Sequence, residues 1–527
     1  MVATQRGYSE AIDALNSLQS NAATIEAIRK SGKTVNELNE PEMVEYLARI
    51  GHPRSALDRL NVVHITGTKG KGSTASFCDT LLRQFRKDSS KKIGLYTSPH
   101  MIAARERIRV DGVPLTEETF ARYFWEVWDQ LDSNSERRLP TTPLRPVYFR
   151  FMTLMAFHVF IREKVAATLL EVGIGGMYDS TNIVEQPVVT GVTPLGLDHT
   201  AILGNTIEEI AYQKAGIFKR NAPAITASQP ESALRVLQDR AERVQAANFQ
   251  VVNESPKLEH IKLGLPGAHQ RTNASLAIAL VQAFANSDAG KATLRDCGDA
   301  LRLDVPNLSA DLIKALQTAF WPGRCQRVDA ARTAGATYFL DGAHTIESVQ
   351  FSVKWYLDQV KDSKQTKALI FNCTNMRSGS TLLGALLDEL RKRFTPKEAS
   401  TFFHQVYFCT NNTFANGGSA SDLVSRAVDS SQLESLSLQR ELMQTWCSLL
   451  QIPVPSAEQL SVRIGQVSLI RVVPSIEHAM RDVQEANDVP DVFVVGSLHL
   501  VGGVMAHLQD QGLLDERLAS IPEKDVS

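Results

Sequence analysis

Short apolar and β-branched runs alternate with amphipathic segments over residues 61–246. This alternation is typical of βα units around a mainly parallel sheet. The strands that it predicts are Asn61–Thr66, Ile93–Thr97, Ala167–Val172, Val188–Thr193 and Pro223–Ala227. The helices that it predicts are Ser73–Phe85, Glu117–Leu131, Tyr148–Glu163 and, further along, His269–Phe284. Residues that follow these strands would meet at one edge of the sheet, where open α/β sheets bind ligands.

A second βα series follows a Pro-, Asn- and Ser-containing stretch at 305–309 and a short helix that ends at Trp321-Pro322-Gly323. Its predicted strands are Tyr338–Leu340, Ala368–Phe371, Val406–Cys409 and Val492–Val495. A chain of 527 residues exceeds the size at which one hydrophobic core keeps growing. We therefore expect an α/β protein with a larger domain at 1–318 and a smaller, Rossmann-like α/β domain at 319–527. Residues 393–467 are the least regular part, and we expect a surface insertion there, with a long polar helix over 420–450.

Composition and charge exclude several classes of protein. Apolar residues make up 43% of the chain and charged residues 22%, which is ordinary for a globular protein. The 56 basic and 58 acidic residues give a net charge of -2, so no global field would hold the chain on nucleic acid or on an anionic membrane. No apolar run approaches the about 20 residues that a membrane span needs. An anionic ligand must therefore be bound by a local cluster of groups.

The clearest local motif is a glycine-rich loop between a predicted strand and a predicted helix. It reads Gly67-Thr68-Lys69-Gly70-Lys71-Gly72-Ser73. Glycines let backbone N–H groups converge on phosphate oxygens, the helix N-terminus adds its dipole, and Lys71 supplies a cation. The spacing differs from GxxxxGK[ST], because Gly72 takes the position after the lysine. A simple glycine-rich turn with solvated lysines is the alternative, but the strand–loop–helix context favours a triphosphate site.

Two further residues follow neighbouring strands. Glu171 ends the apolar strand that begins at Ala167, and a Gly-Ile-Gly-Gly sequence comes after it. A carboxylate beside a phosphate loop is what a Mg²⁺ ion bridging ATP phosphates requires. His199 follows the next strand, although a lone histidine is more often a surface residue.

The loop TGTKGKGST resembles that of the Mur ligase superfamily, and in particular its folylpolyglutamate synthase branch. The motifs YTSPH (96–100), RERI (105–108), LEVGIGG (170–176) and DSTN (179–182) occur in the family's order and at similar spacing. The resemblance covers residues 8–361 and resumes at 496–503. Met177-Tyr178 replaces the Asp-Thr of bacterial members and His100 replaces an aromatic residue, and both changes suit the eukaryotic branch.

This resemblance implies a set of roles for individual residues. The implied ATP-binding residues are Gly67, Thr68, Lys69, Gly70, Lys71, Gly72, Ser73, Gln270, Asn273, Arg324 and Asp341. The implied ligands of two Mg²⁺ ions are Ser98 and Glu171 for the first, and Glu171 with His199 for the second. The implied catalytic residues are Lys71, His344 and Lys214, the last of which matches a lysine that the family carbamoylates. The implied folate and glutamate contacts are Arg105, Arg107, Arg377 and Ser497. A monovalent cation such as K⁺ is a further implied cofactor.

The activity implied is ATP-dependent addition of L-glutamate to tetrahydrofolate through an acyl phosphate, which retains folates in the cell for one-carbon metabolism. The implied partners are small molecules, namely reduced folate, L-glutamate and ATP, and we expect a monomer that binds neither nucleic acid nor membrane. Two alternatives stay open: dihydrofolate synthase of the same branch, and a P-loop switch that hydrolyses nucleotide. We expect a cytoplasmic protein, because the six cysteines are scattered and the first helix carries Glu10 and Asp13, which disfavour a transit peptide. A separate mitochondrial form also stays open.

Overall fold

The structure is a computed structural model that describes residues 6–19, 38–140, 142–329, 335–373, 378–415, 422, 435–456, 458–465, 468–486 and 488–514. Contacts within the chain divide it into two compact units. The first comprises Met1–His100 and Ala104–Phe320, and the second comprises Met101–Ala103 and Trp321–Ser527. Each unit is built around one sheet with helices packed against it, so the predicted α/β class is confirmed.

The first unit contains an eight-stranded sheet in the order β4-β3-β2-β5-β1-β6-β7-β8. Its strands are β1 Val62–Thr66, β2 Ile93–Tyr96, β3 Ile108–Val110, β4 Val113–Pro114, β5 Ala167–Glu171, β6 Val189–Val192, β7 Ala224–Ala227 and β8 Phe249–Val252. The strands β2, β5, β1, β6, β7 and β8 are parallel to one another. Strands β3 and β4 extend the sheet beyond β2 with antiparallel pairing. Every residue of β1, β5 and β6 is buried, as expected where helices cover both faces of a parallel sheet.

The described helices of the first unit are α1 Tyr8–Ser17, α2 Asn39–Arg49, α3 Lys71–Phe85, α4 Glu117–Ser133, α5 Tyr148–Glu163, α6 Thr200–Leu203, α7 Ile207–Lys214, α8 Glu231–Arg243, α9 His269–Asn286, α10 Asp288–Thr293 and α11 Ala310–Thr318. The four helices predicted for the first unit agree closely with α3, α4, α5 and α9 of the structure. Helix α5 ends where Lys164 adopts a left-handed conformation with φ 52°. Strand β1 begins one residue later than predicted, because Asn61 is left-handed with φ 49° and donates its side-chain N–H to Ala166 O at 2.9 Å.

The second unit contains a seven-stranded sheet in the order β13-β14-β12-β11-β15-β10-β9. Its strands are β9 Gln326–Val328, β10 Thr337–Leu340, β11 Thr366–Phe371, β12 Gln405–Cys409, β13 Ser461–Ile464, β14 Ser468–Val473 and β15 Pro490–Val495. Its described helices are α12 Ile346–Gln359, α13 Gly379–Arg391, α14 Pro396–Thr401, α15 Ser437–Leu449, α16 Ile476–Gln484 and α17 Leu498–Asp510. The five inner strands are parallel, and β9 and β13 pair antiparallel at the two edges.

The segment 393–467 differs from the surface insertion expected from its sequence. Strand β12 lies between β11 and β14 inside the sheet. Helix α15 buries Leu442, Met443 and Trp446 in the core beside that sheet. The prediction of a polar surface helix is wrong here, because apolar positions that repeat every three or four residues within this polar segment form a buried face. Residues 420–421 and 423–434 of the helix predicted at 420–450 lie outside the described residues.

Candidate functional site

The glycine-rich loop leaves the end of β1 and leads into α3, and two of its glycines make contacts that exclude a side chain. Gly67 has φ 147°, and a Cβ there would lie 1.8 Å from Thr193 Oγ1. Gly70 has φ 86°, and a Cβ there would lie 2.2 Å from Asn273 Oδ1. These close approaches require glycine at both positions.

The first half of the loop is fixed by the segment that follows β6. The N–H groups of Thr68 and Lys69 both donate to Pro194 O at 3.2 Å. The Thr193 hydroxyl donates to Lys69 O at 2.6 Å. The second half of the loop is the first turn of α3, whose N–H groups have no partner within the helix. The arrangement therefore offers the helix N-terminus, rather than the whole loop, to an anion.

Two lysine ammonium groups meet at one carbonyl oxygen of this loop. Lys71 Nζ donates to Gly67 O at 3.0 Å, and Lys214 Nζ, from the end of α7, donates to the same oxygen at 2.9 Å. Lys214 is only 4% exposed. Burial, and then repulsion from Lys71, lower the pKa of Lys214 from its ordinary 10.5 to about 7. Two predicted catalytic residues are thus brought together, and the neutral form of Lys214 becomes accessible near pH 7.

Glu171 lies at the carboxyl end of β5, next to the residue that follows β2. The Ser98 backbone N–H donates to Glu171 Oε2 at 3.1 Å, and the Glu171 side chain is buried. The structure therefore brings together the two residues predicted for a first metal ion. The Ser98 hydroxyl and the Glu171 carboxylate are oxygen donors of the kind that Mg²⁺ prefers, so this pair fits that ion.

The residue predicted for a second metal ion has a different environment. His199 is left-handed with φ 50° at the start of α6, and its side chain is 45% exposed beside Asp198. Within the described part of the chain, no three His, Cys, Asp or Glu side chains come close enough to hold a metal.

Asp179 organises the loop that follows Glu171, and it was not among the predicted site residues. Its carboxylate accepts from the N–H groups of Gly173 and Ile174, each at 3.1 Å, and from the N–H and hydroxyl of Thr181. Burial raises the pKa of Asp179, although these hydrogen bonds favour its charged form. The sequence signal is an Asp directly before Ser-Thr, which caps the short helix Ser180–Ile183.

The two amides predicted for the adenine site lie at the start of α9. Asn273 donates to Gln270 Oε1 at 2.9 Å, and Gln270 donates to Ser73 Oγ at 3.4 Å. Both side chains are buried against the glycine-rich loop. They brace that loop, which is consistent with a place beside the nucleotide.

The two arginines predicted for folate lie close to the segment that follows β2. Arg107 is buried, donates to His100 Nδ1 at 3.0 Å and lies over the ring of Tyr148, 5.2 Å from its centroid. Arg105 is half-buried and donates to Leu115 O at 3.2 Å. Arg107 is thus held between an aromatic ring and an imidazole.

In the second unit, Asp341 and the turn at Gly323–Cys325 form one cluster. The carboxylate accepts from the Cys325 N–H at 2.9 Å, from the Cys325 thiol at 3.0 Å and from the Ala343 N–H at 2.8 Å. Arg324 lies beside Gly342, where a Cβ would come within 2.9 Å of Arg324 Nη1. Burial and the adjacent Asp341 raise the pKa of the Cys325 thiol well above its usual range, so the thiol stays protonated and donates.

His344 follows the same strand. Its Nδ1 lies 2.8 Å from Gly342 O. Because a carbonyl can only accept, Nδ1 carries the proton in this hydrogen bond. Arg324, Asp341 and His344 therefore lie in one corner of this unit.

Ser497, one of the residues predicted for glutamate, lies at the carboxyl end of β15, next to the carboxyl end of β11. Ser497 is buried and caps α17 by accepting from the His499 N–H at 3.2 Å. Gly496 lies against Asn372, where a Cβ would be 2.3 Å from Asn372 O. Arg377 lies outside the described residues.

The fold and site define a P-loop α/β protein of the Mur-ligase-like fold, in which a glycine-rich loop and a carboxylate follow neighbouring strands at one edge of a mainly parallel sheet. Among curated proteins, the folylpolyglutamate synthase of Saccharomyces cerevisiae is 40% identical over 506 residues, covering 94% of this chain and 86% of the yeast protein. The chain therefore belongs to the folylpolyglutamate synthase family, whose members are ATP-dependent ligases that add glutamate to folates. The family predicted from the motifs is confirmed.

Solved structures support the same fold. The Mycobacterium tuberculosis folylpolyglutamate synthase complexed with ADP and AMPPCP has a TM-score of 0.63 at 21% identity, covering 92% of this chain and 98% of that one. Escherichia coli FolC in complex with DHPP and ADP has a TM-score of 0.62 at 21% identity, covering 96% and 98%. No family model matches the chain. Among the described residues, none of the helices has the length and apolar character that a bilayer crossing requires.

Proposed function

We propose that this chain adds L-glutamate, through γ-linked amide bonds, to tetrahydrofolate and its polyglutamates. ATP phosphorylates the terminal γ-carboxylate, and the amine of the incoming glutamate then attacks the acyl phosphate and displaces phosphate. The observation that carries the proposal is the meeting of Lys71 and Lys214 at the phosphate loop, in a chain 40% identical to a folylpolyglutamate synthase.

The loop and its two lysines account for binding and charge stabilisation. The first-turn N–H groups of α3 bind the phosphates, and Lys71 stabilises the charge on the phosphoryl group as it moves. Gln270 and Asn273 hold the loop against α9 and face the nucleotide base. No covalent enzyme intermediate is needed, because ATP itself supplies the activated group.

Magnesium is part of the proposal, with Ser98 and Glu171 as the residues that would hold it. When bound, Mg²⁺ neutralises charge on the ATP phosphates. A second ion at Glu171 and His199, and a monovalent cation such as K⁺, rest on the resemblance alone. Arg105 and Arg107 are the proposed contacts of the folate.

Lys214 is the residue that we propose to be carbamoylated. A neutral amine adds to CO₂ and loses a proton, which leaves an anionic carbamate in place of a cation. The lowered pKa of Lys214 makes the neutral amine available near pH 7. A carbamate beside Lys71 would replace the repulsion between two ammonium groups with attraction.

The second domain is proposed to bind glutamate and to carry further residues that act in the reaction. Arg324 would contact phosphate, Asp341 would hold the turn that presents Arg324, and His344 would stand by the reacting groups. Ser497 and Arg377 would contact glutamate. We assign ATP binding to residues 1–318 and glutamate binding to 319–527.

We further propose that the protein is a monomer in the cytoplasm. A separate mitochondrial form is compatible with this proposal. All six cysteines are free thiols, which is consistent with a reducing compartment. The product would serve to retain folates for one-carbon metabolism.

An isotope experiment tests the proposed chemistry. Tetrahydrofolate carrying ¹⁸O in its γ-carboxylate is incubated with the protein, Mg-ATP and L-glutamate. In the first addition, an acyl phosphate transfers one ¹⁸O from the labelled carboxylate to the phosphate released while the folate gains a glutamyl unit. Phosphate that takes its new oxygen only from water, with no change in folate mass, would instead indicate a nucleotide-hydrolysing switch.

A further inference from the structure

Helix α15 lies in the segment 393–467, for which the family motifs provide no role, and it carries one buried amide. Its inward face is otherwise apolar, with Leu442, Met443 and Trp446 in the core. Gln439 on this face is 4% exposed. A buried amide destabilises a protein unless it is hydrogen-bonded. Gln439 Nε2 donates to Asn372 Oδ1 at 3.2 Å.

Asn372 connects the carboxyl ends of neighbouring strands. It follows β11 directly, is 2% exposed and donates its Nδ2 to Asn411 Oδ1, just beyond β12, at 3.0 Å. Its carbonyl lies against Gly496, which follows β15. The Gly496 N–H in turn donates to Ala343 O, just beyond β10, at 3.0 Å. The ends of four parallel strands are therefore linked through Asn372 and Gly496.

The same helix also contacts the residue where α13 begins. A Cβ on Gly379, the first residue of α13, would lie 2.3 Å from Leu442 Cδ2. Helix α15 thus contacts Asn372 through a polar group and Gly379 through an apolar one. These are the two ends of the connection between β11 and α13.

We propose that Gln439 is a positioning residue for glutamate: it fixes Asn372, and through Asn372 the Gly496–Ser497 turn, at the edge where the amino acid substrate binds. This inference rests on the proposed function, which places glutamate at this edge. Gln439 does not contact the substrate itself. Its loss lets Asn372 rotate and leaves a buried oxygen without its donor.

The test is Gln439→Leu, which keeps the volume of the side chain and removes the donor. A buried acceptor that loses its donor weakens the arrangement by about 1–1.5 kcal/mol, or about five- to tenfold in an equilibrium constant. We expect KM for glutamate to rise by about that factor, with kcat and KM for ATP each within about twofold of the parent. Gln439→Glu provides a second variant that keeps the shape but cannot donate when ionised, and it should raise KM for glutamate at least as much.

The matched control is Gln444→Leu, on the same helix. Gln444 Nε2 donates to Pro455 O at 3.2 Å, remote in sequence from the glutamate edge. Its loss removes one hydrogen bond of the same kind and should leave KM for glutamate unchanged. In addition, Asn372→Ala combined with Gln439→Leu should raise KM for glutamate no more than Asn372→Ala alone, because both changes remove one interaction.

The outcomes separate this inference from the proposed function. If the parent protein shows no glutamate-dependent ADP release, the proposed function fails and the inference fails with it. If the parent is active but both Gln439 variants keep KM for glutamate within about twofold, the positioning role is wrong. An equal rise in KM for ATP, or an equal effect of Gln444→Leu, would also overturn it, because either would show a general loss of structure.

Discussion

Lys214→Met should stabilise the protein while abolishing its activity. In the folded chain burial lowers the pKa of Lys214 to about 7, whereas in the unfolded chain it is near 10.5. Between these two values the unfolded chain binds the proton and the folded chain does not, so the stability of the parent rises with pH across this window and is lowest below pH 7. Each pH unit well inside the window changes the free energy of unfolding by about 1.4 kcal/mol.

The expected difference can be worked out from those values. Burying this ammonium costs about 4 kcal/mol at pH 7 and about 2 kcal/mol at pH 9. Methionine avoids that cost but loses the hydrogen bond to Gly67 O, worth about 1–3 kcal/mol for a charged donor. The stability advantage of the variant should therefore be about 2 kcal/mol greater at pH 7 than at pH 9. Formation of ADP from ATP, folate and glutamate should be lost at both values.

The assay is urea unfolding of the parent and of Lys214→Met, in buffers freed of CO₂, at pH 7 and pH 9. Lys219→Met provides a control for removing a lysine, since the pKa of Lys219 is also lowered by burial but Lys219 contacts Asn182 O rather than the loop. Activity should survive in the Lys219 variant. An advantage of Lys214→Met that is the same at both pH values would refute the reasoning, because Lys214 would then not titrate in this window.

Bicarbonate provides a further check on the same residue. Because burial lowers the pKa of Lys214 to about 7, its neutral amine is far more abundant at pH 7.5 than that of an unperturbed lysine. Protein labelled with ¹³C-bicarbonate should therefore show a carbamate carbon signal that is absent from Lys214→Met. An identical signal in both proteins would assign the carbamate to another amine.

Three other substitutions test separate parts of the account. Gly70→Ala should weaken ATP binding at least tenfold by calorimetry, because its Cβ would clash with Asn273 and its φ is 86°; unchanged affinity would contradict this. Asp179→Ala leaves the N–H groups of Gly173 and Ile174 without their acceptor. It should lower kcat at least tenfold and the free energy of unfolding by about 2–4 kcal/mol. A fall in stability with unchanged kcat would show that this loop does not contribute to catalysis. Trp446→Ala should destabilise the second unit by about 3–5 kcal/mol in urea unfolding, because Trp446 is buried in its core. A change below about 1 kcal/mol would indicate that helix α15 lies on the surface.

The sequence predicts most inner strands, because they are continuous apolar runs that are buried on both faces. It misses the inner strand β14, whose residues alternate between buried and partly exposed positions. Helix α5 matches its predicted bounds, Tyr148–Glu163. The strands at and next to the sheet edges are not predicted for a physical reason: β3, β4 and β9 have two or three residues each, and β8 and β13 are partly exposed, so none shows a long apolar run. Such strands are formed by pairing with their neighbours rather than by their own pattern.

The sequence likewise predicts one part of the candidate site and not the other. The loop from Gly67 to Ser73 is visible in the sequence, because its glycines are required locally by backbone geometry. The burial of Lys214 is not visible, since its partner Gly67 is 147 positions away in the chain. Gln439 and Asn372 are likewise separated by 67 positions. Such contacts form only when folding brings a residue of a helix next to the end of a distant strand.

The most direct test of the central claim is ADP release by the purified protein with Mg-ATP, tetrahydrofolate and L-glutamate, omitting one component at a time and weighing the folate product. The account predicts ADP only when all components are present, together with a folate that gains glutamyl units. ADP release that does not depend on folate and glutamate would contradict it in favour of a nucleotide-hydrolysing switch. Turnover supported only by dihydropteroate would indicate dihydrofolate synthase and would contradict the proposed substrate.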